Sequence, residues 1–173
     1  MRIVIVFESM FGATEKFARA VADGIAVSAG AEVLNVDDAP TDFTGVDLLV
    51  VGGPTHVHGM TRAATRKSAA DQVAYEMRSK TGIREWLGSL GPLPHDLVVA
   101  AFDTRIDKPR VFTGAASLGI AKRLSRLGGR LAAPAESFFV GTEPVDVGPE
   151  PGELARAEAW GAALGAAVLR TVS

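Results

Sequence analysis

The sequence contains no cysteine, which excludes disulfide bonds, thiolate metal sites and cysteine-based catalysis. A net charge of -2 gives no overall field that would attract nucleic acid or an anionic membrane. No stretch approaches the roughly 18 consecutive apolar residues that span a bilayer. The first apolar run, "IVIVF", stops at Glu8 and does not resemble a secretory signal. We therefore expect a cytoplasmic protein with no membrane span and no nucleic-acid partner.

What is present is the composition of an ordinary globular chain, 47% hydrophobic and 22% charged, long enough for a single domain over residues 1–173. Five apolar runs predict strands, at 2–7, 31–36, 46–53, 96–102 and within 128–140. Amphipathic patterns predict helices from Thr14, at 82–90, at 115–127 and from Leu154, whereas residues 55–80 give no clear pattern. Alternating strands and helices predict an α/β fold with a parallel sheet between two helical layers. Such sheets bind ligands at the carboxyl ends of their strands.

The stretch "FESMFGAT", residues 7–14, lies where the first strand passes into the first helix. The N–H groups at a helix start attract anions, and hydroxyls from Ser9 and Thr14 would add donors for a phosphate. Gly12 would let the backbone close around such a group. The alternative is that Ser9 or Thr14 only caps the helix. Neither the G-x-x-x-x-G-K-[ST] loop nor a G-x-G-x-x-G motif follows this strand.

The segment "IVFESMFGATEKFARAV", residues 5–21, resembles the flavodoxin signature. The matching positions are Ile5, Val6, Phe7, Ser9, Gly12, Thr14 and Ala18. This resemblance implies a flavodoxin-like doubly wound sheet of five parallel strands in the order 2-1-3-4-5, and a non-covalently bound flavin mononucleotide (FMN) with its phosphate in the first loop. The candidate FMN-binding residues there are Ser9, Met10, Phe11, Gly12, Ala13 and Thr14. Phe11 departs from the family, where many members have another hydroxyl.

By the same resemblance, the flavin ring lies between the loops after the third and fourth strands. The third-strand loop offers Pro54, Thr55, His56, Val57, His58 and Gly59. The resemblance implies that Thr55 bonds ribityl or phosphate oxygens and that the His58–Gly59 peptide flips beside flavin N5; the alternative is a plain turn glycine. The two histidines either touch the ring or are exposed. No third ligand accompanies them, so we predict no metal site.

The fourth-strand loop offers Phe102, Asp103, Thr104 and Arg105. The resemblance implies that backbone groups of residues 103–105 meet the pyrimidine edge of the flavin, while Phe102 is either a ring neighbour or a core residue. The usual aromatic clamp has no obvious source, because Trp86 and Trp160 lie on inward helix faces. The only tyrosine, Tyr75, remains a candidate to cover the ring.

The leading functional hypothesis is electron transfer through bound FMN, with no catalytic side chain. The alternatives are an NAD(P)H-dependent flavin or quinone reductase and a flavodoxin-like binding module that has lost FMN. The partner is then a redox protein, or NAD(P)H and a quinone.

A basic stretch follows the third-strand loop, with Arg62, Arg66, Lys67, Arg78 and Lys80. It is either a solvated helix face or a docking site for an acidic partner or a pyridine nucleotide. Monomer and homodimer both remain open.

Overall fold

The computed structural model describes residues 1–71, 77–142 and 148–172, in which strands and helices alternate as predicted. The strands are β1 (Ile3–Phe7), β2 (Ala31–Asn35), β3 (Leu48–His56), β4 (Gly59–Met60), β5 (Val98–Ile106), β6 (Arg130–Leu131) and β7 (Glu136–Val140). The helices are α1 (Ala13–Ala26), α2 (Ala63–Asp71), α3 (Ile83–Ser89), α4 (Arg110–Thr113), α5 (Ala116–Arg126) and α6 (Glu153–Val172), with a 3₁₀ turn at Val36–Asp38. Within those ranges, no helix is long and apolar enough to cross a bilayer.

The sheet confirms the predicted strand order, with its fifth position divided between two short strands. The order is β2-β1-β3-β5, and both β6 and β7 pair in parallel with β5. Strand β6 pairs with Val98 and Val99, and β7 pairs with Phe102–Ile106. Pro134 lies between the two short strands and has no N–H for a ladder hydrogen bond. Strand β4 folds back antiparallel onto β3 as a hairpin.

Two hydrophobic cores lie on opposite faces of the sheet, because successive strand residues point to opposite sides. On one face, Ile3 and Ile5 of β1 share a core with residues of α1 and α6. On the other face, Val4 and Val6 of the same strand share a core with residues of α3 and α5. This arrangement leaves the carboxyl ends of the strands open between the two helical layers.

Helices α1 and α6 approach closely through two glycines. A Cβ built on Gly24 would lie 1.9 Å from the backbone oxygen of Glu158, and one built on Gly161 would lie 2.2 Å from the backbone oxygen of Val21. Real Cβ atoms do not approach backbone atoms so closely. The two glycines therefore allow the helix backbones to come into contact.

One feature differs from the sequence-based expectations. Strand β5 continues to Ile106, past the predicted end at 102, because it pairs with β3 as far as Thr104 and with β7 as far as Ile106. Helix α5 buries Ser117, Ile120 and Leu124, and its Leu118 is half exposed. Tyr75, the candidate ring cover, lies outside the described residues.

Candidate functional site

A cavity of about 580 Å³ lies at the carboxyl ends of β1, β3, β5 and β7. It is lined by parts of four segments, at residues 9–14, 54–58, 104–113 and 140–142. Its volume falls within the roughly 300–1,000 Å³ typical of small-molecule sites. The three loops selected from the sequence therefore meet at one cavity, at the edge of the sheet where ligand binding was expected.

The loop between β1 and α1 is folded upon itself beside the cavity. Ser9 Oγ accepts a hydrogen bond from the N–H of Gly12 at 3.0 Å. Gly12 has a φ of 99°, in the left-handed region that favours glycine. The N-cap residue of α1 is Gly12, and no side chain makes a capping hydrogen bond there, so the structure does not support the alternative of a simple helix cap.

Two threonine hydroxyls join the start of α1 to β5. Thr14 Oγ1 and Thr104 Oγ1 are 2.9 Å apart, and both residues are buried and line the cavity. Two hydroxyls carry two protons, and their mutual hydrogen bond uses only one. The pair retains one proton to donate, beside the N–H groups of a helix start. This set of donors suits an anionic oxygen.

The turn between β3 and β4 is strained at residues other than glycine. Val57 and His58 have φ values of 47° and 69°, which L-residues rarely adopt, least of all a β-branched one. Both residues line the cavity. Gly59, to which the sequence assigned backbone freedom, instead lies in β4 and pairs with His56. The left-handed conformation therefore lies at Val57 and His58, at a cost of order 1–3 kcal/mol for each residue.

The start of α5 is fixed by side chains from two neighbouring strands. Thr55 Oγ1 accepts the N–H of Ala116 at 2.8 Å, and Asp103 Oδ2 accepts the N–H of Ser117 at 2.8 Å. Asp103 is fully buried, so its side chain serves the helix and not the cavity. Thr55 lines the cavity and keeps its own hydroxyl proton for a ligand.

Arg105 is a buried cation in the cavity wall, with only 8% of its surface exposed. Its Nη1 donates to the carbonyls of Ile106 and Lys108 and to the hydroxyl of Thr113. Its guanidinium also stacks on the ring of Phe139, with Cζ 4.9 Å from the ring centroid. Arg105 thereby holds together the loop that follows β5.

The described residues that line the cavity include no carboxylate. The charged side chains are Arg105 and Lys108, accompanied by His56 and His58. Among the residues described, no cluster of His, Asp or Glu is suited to a metal ion. The part of the cavity wall formed by the loop after β5 therefore carries positive charge from Arg105 and Lys108.

Residues 5–85 match the profile of the family described as Flavodoxin. The match covers a little under half of the chain, and it supports electron transfer through a bound flavin, as the resemblance of the first loop implied. No curated protein sequence matches the chain.

Solved structures of flavodoxins share the fold of this chain over its whole length. A flavodoxin from the domain Archaea is 17% identical with a TM-score of 0.66, over 98% of this chain and 99% of that chain. Flavodoxin 1 from Bacillus cereus is 18% identical with a TM-score of 0.67, over 100% of both chains. Two-electron reduced flavodoxin from Megasphaera elsdenii is 14% identical with a TM-score of 0.61, over 96% and 99%. These likenesses support the flavodoxin-like fold.

Most of the candidate residues selected from the sequence meet at the cavity. From the first loop these are Ser9, Met10, Phe11, Ala13 and Thr14, and from the other loops Pro54, Thr55, His56, Val57, His58, Thr104 and Arg105. Phe102 is fully buried under Gly52, where it belongs to the core, so the core alternative is correct. Gly12, Gly59 and Asp103 shape the surrounding backbone and are not among the lining residues.

Sequence reasoning missed an aromatic residue at the cavity. Phe112 lies on the short helix α4, is 70% exposed and lines the cavity. The run "PRVF" carried the signal: an apolar pair in a loop that otherwise consists of polar and charged residues. Lys108, Thr113 and residues 140–142 were also missed, because only the fold brings them to the cavity.

The basic stretch after the third-strand loop is not simply a solvated face. Arg66 is buried and pairs with Glu85 at 3.0 Å. Arg78 pairs with Glu15 on α1 at 2.9 Å, and its Cζ lies 3.0 Å from where a Cβ on Gly12 would be. These two arginines stabilise the surroundings of the first loop.

Glu8 lies behind the same loop in a buried polar network. Its carboxylate accepts hydrogen bonds from the Thr61 hydroxyl at 2.5 Å and from the N–H of Ile83 at 2.8 Å. Arg66 in turn donates to the Thr61 hydroxyl at 3.1 Å. Burial raises the pKa of the Glu8 carboxyl above its ordinary value, despite these hydrogen bonds and the nearby guanidinium.

The raised pKa of Glu8 predicts a specific dependence of stability on pH. The unfolded chain ionises Glu8 near its ordinary pKa of 4.5, before the folded protein does. The contribution of protonated Glu8 to the free energy of unfolding is therefore complete below pH 4.5. It is lost as the pH rises through the higher pKa that Glu8 has in the folded protein. Relative to Glu8→Gln, we expect the free energy of unfolding of the wild type to fall over that interval. Urea denaturation at a series of pH values measures this, and a constant or rising difference would contradict it.

Proposed function

We propose that the bound flavin is FMN, with its phosphate at the start of α1 and its ring in the cavity between the loops after β3 and β5. The observation that carries this proposal is the hydroxyl pair of Thr14 and Thr104, whose oxygens are 2.9 Å apart where the helix start meets the cavity. The pair has a proton to spare beside N–H groups that lack an intrahelical acceptor. The oxygens of a phosphate monoester can accept hydrogen bonds from the spare hydroxyl and from these N–H groups.

The rest of the cavity suits the ring of a flavin. The Val57–His58 turn supports one side, with backbone groups held in a strained conformation. The loop organised by Arg105 supports the other side and brings Phe112 to the rim. FMN supplies the redox chemistry when bound, while these residues position it and limit its contact with water. No side chain is assigned a catalytic role.

We test the proposal by titrating FMN and riboflavin separately into the apoprotein and following the quenching of flavin fluorescence. Riboflavin has the same ring but no phosphate. We expect both to bind, with FMN tighter by at least about tenfold, since a charge-assisted hydrogen bond contributes roughly 1.5–3 kcal/mol. Equal affinities would contradict a phosphate site in the first loop. Absence of quenching by either, with a folded protein, would favour a binding module without flavin.

The exposed ring of Phe112 predicts a second effect that does not depend on the phosphate. We expect Phe112→Ala to weaken FMN and riboflavin alike by about fivefold, because aromatic contacts contribute roughly 1 kcal/mol beyond area burial. Val111→Ala is the matched control, since Val111 lies on the same short helix, is 79% exposed and is not among the cavity-lining residues. The same titrations measure both variants. If Phe112→Ala bound FMN and riboflavin as tightly as the wild type does, Phe112 would not contact the flavin ring.

A further inference from the structure

The most unusual group in the cavity wall is the buried, permanently charged guanidinium of Arg105. Its Nη1 partners are all neutral: two backbone carbonyls and the Thr113 hydroxyl. Its Nε is buried without a hydrogen-bond partner in the described part of the chain. No ion pair joins Arg105 to another described residue. The guanidinium is therefore a positive charge with no charged partner among the described residues, and its Nε–H is an unused hydrogen-bond donor.

Arg105 lies beside the part of the cavity proposed for the flavin ring, and not at the end proposed for the phosphate. Thr104, the residue before it, belongs to the proposed phosphate end of the cavity. Arg105 instead anchors the loop of Ile106, Lys108 and Thr113, which forms the adjoining wall. A flavin with its phosphate at the first loop and its ring in the rest of the cavity would lie against the wall that Arg105 supports.

A cation in that wall favours a flavin that carries negative charge. The ring is neutral when oxidised, and it gains negative charge when it takes up two electrons and only one proton. A nearby positive charge stabilises the charged form, and burial strengthens its field. No carboxylate among the described lining residues offsets it.

We propose that Arg105 stabilises reduced FMN and sets the two-electron potential of the bound flavin at or above that of free FMN. This inference rests on the proposed function, because it requires FMN in the cavity.

The test compares the dissociation constants of oxidised and reduced FMN, or equivalently the midpoint potential of bound and free FMN in one buffer. In the wild type we expect reduced FMN to bind at least as tightly as oxidised FMN. In Arg105→Gln we expect the ratio of the reduced to the oxidised dissociation constant to rise about tenfold, a shift of about −30 mV for a two-electron couple. Arg105→Lys, which keeps the charge, should retain most of the wild-type ratio.

Arg110→Gln is the matched control, since it removes the same charge from the same loop. Arg110 is exposed and is not among the cavity-lining residues. We expect its ratio of reduced to oxidised dissociation constants to equal that of the wild type.

If Arg105→Gln does not fold, the potential of the wild type alone tests the proposal. A midpoint potential of bound FMN well below that of free FMN overturns it. An equal shift in the two glutamine variants, or none in Arg105→Gln, also overturns it. If the wild type binds no FMN, the proposed function itself fails and this inference with it.

Discussion

Replacing Thr14 by valine is expected to weaken FMN binding by roughly 10- to 100-fold and to leave riboflavin binding unchanged. Valine has nearly the shape of threonine but no hydroxyl, so the substitution removes a donor beside the phosphate and preserves packing. A hydrogen bond to a charged group contributes roughly 1.5–3 kcal/mol, which gives that range of affinity. Because riboflavin has no phosphate, a loss confined to FMN separates the phosphate contact from general damage to the cavity.

Two further variants complete this experiment. Thr104→Val should show the same selective loss, because its hydroxyl is paired with that of Thr14 at 2.9 Å. Thr44→Val serves as the control, since Thr44 bonds only the exposed Asp42 in the described structure and lies away from the cavity. Fluorescence titrations with both flavins give all the constants. Equal losses for FMN and riboflavin in Thr14→Val would place the phosphate elsewhere.

Replacing Gly161 by alanine is expected to lower the free energy of unfolding by about 2 kcal/mol or more. The added Cβ would lie 2.2 Å from the backbone oxygen of Val21, so α6 would have to move away from α1. Overpacking of this kind costs roughly 1–3 kcal/mol and sometimes more. Alanine favours the helix by only about 1 kcal/mol over glycine, which does not offset that cost. Urea denaturation measures the difference.

Substitutions at two other helical glycines distinguish the effect of this backbone contact on stability from the effect of helix propensity. A Cβ on Gly165, one turn further along α6, would first meet the side chain of Ser28 at 3.3 Å, which adjusts more easily than backbone. A Cβ on Gly88 in α3 would meet nothing within 4 Å, so Gly88→Ala should be neutral or stabilising. The expected order of stability is Gly88→Ala, then Gly165→Ala, then Gly161→Ala. If Gly161→Ala were as stable as the wild type, the close approach of α1 and α6 would be wrong.

The sequence predicted the architecture because its signals were local and repeated. Apolar runs marked the strands, amphipathic patterns marked the helices, and the residues of the first loop indicated a phosphate site before any fold was known. The end of β5 was harder to predict. Its last residues, "DTRI", look like a polar loop, yet they form a strand because β7 pairs with all four of them and β3 pairs with the first two.

The finer features of the site depend on contacts that are remote in sequence. Glycine at position 59 suggested the flexible backbone, but the hairpin register places the positive φ values at Val57 and His58. The carbonyl of His58 lies 2.2 Å from where a Cβ on Gly114 would be. That contact spans more than 50 residues, and no local pattern reveals it. Arg105 was similarly selected from the sequence only for its backbone groups, whereas the structure places its side chain in the buried cavity wall.

The division of the fifth strand position affects how the sheet meets other molecules. Long, flat edges with unpaired N–H and C=O groups are templates on which a second chain can add a strand and begin to aggregate. Here that edge consists of the two residues of β6, a gap containing Pro134, and the five residues of β7. An incoming strand could not pair continuously along it. The interruption thus protects this edge against strand addition while the neighbouring β5 keeps its full length at the cavity.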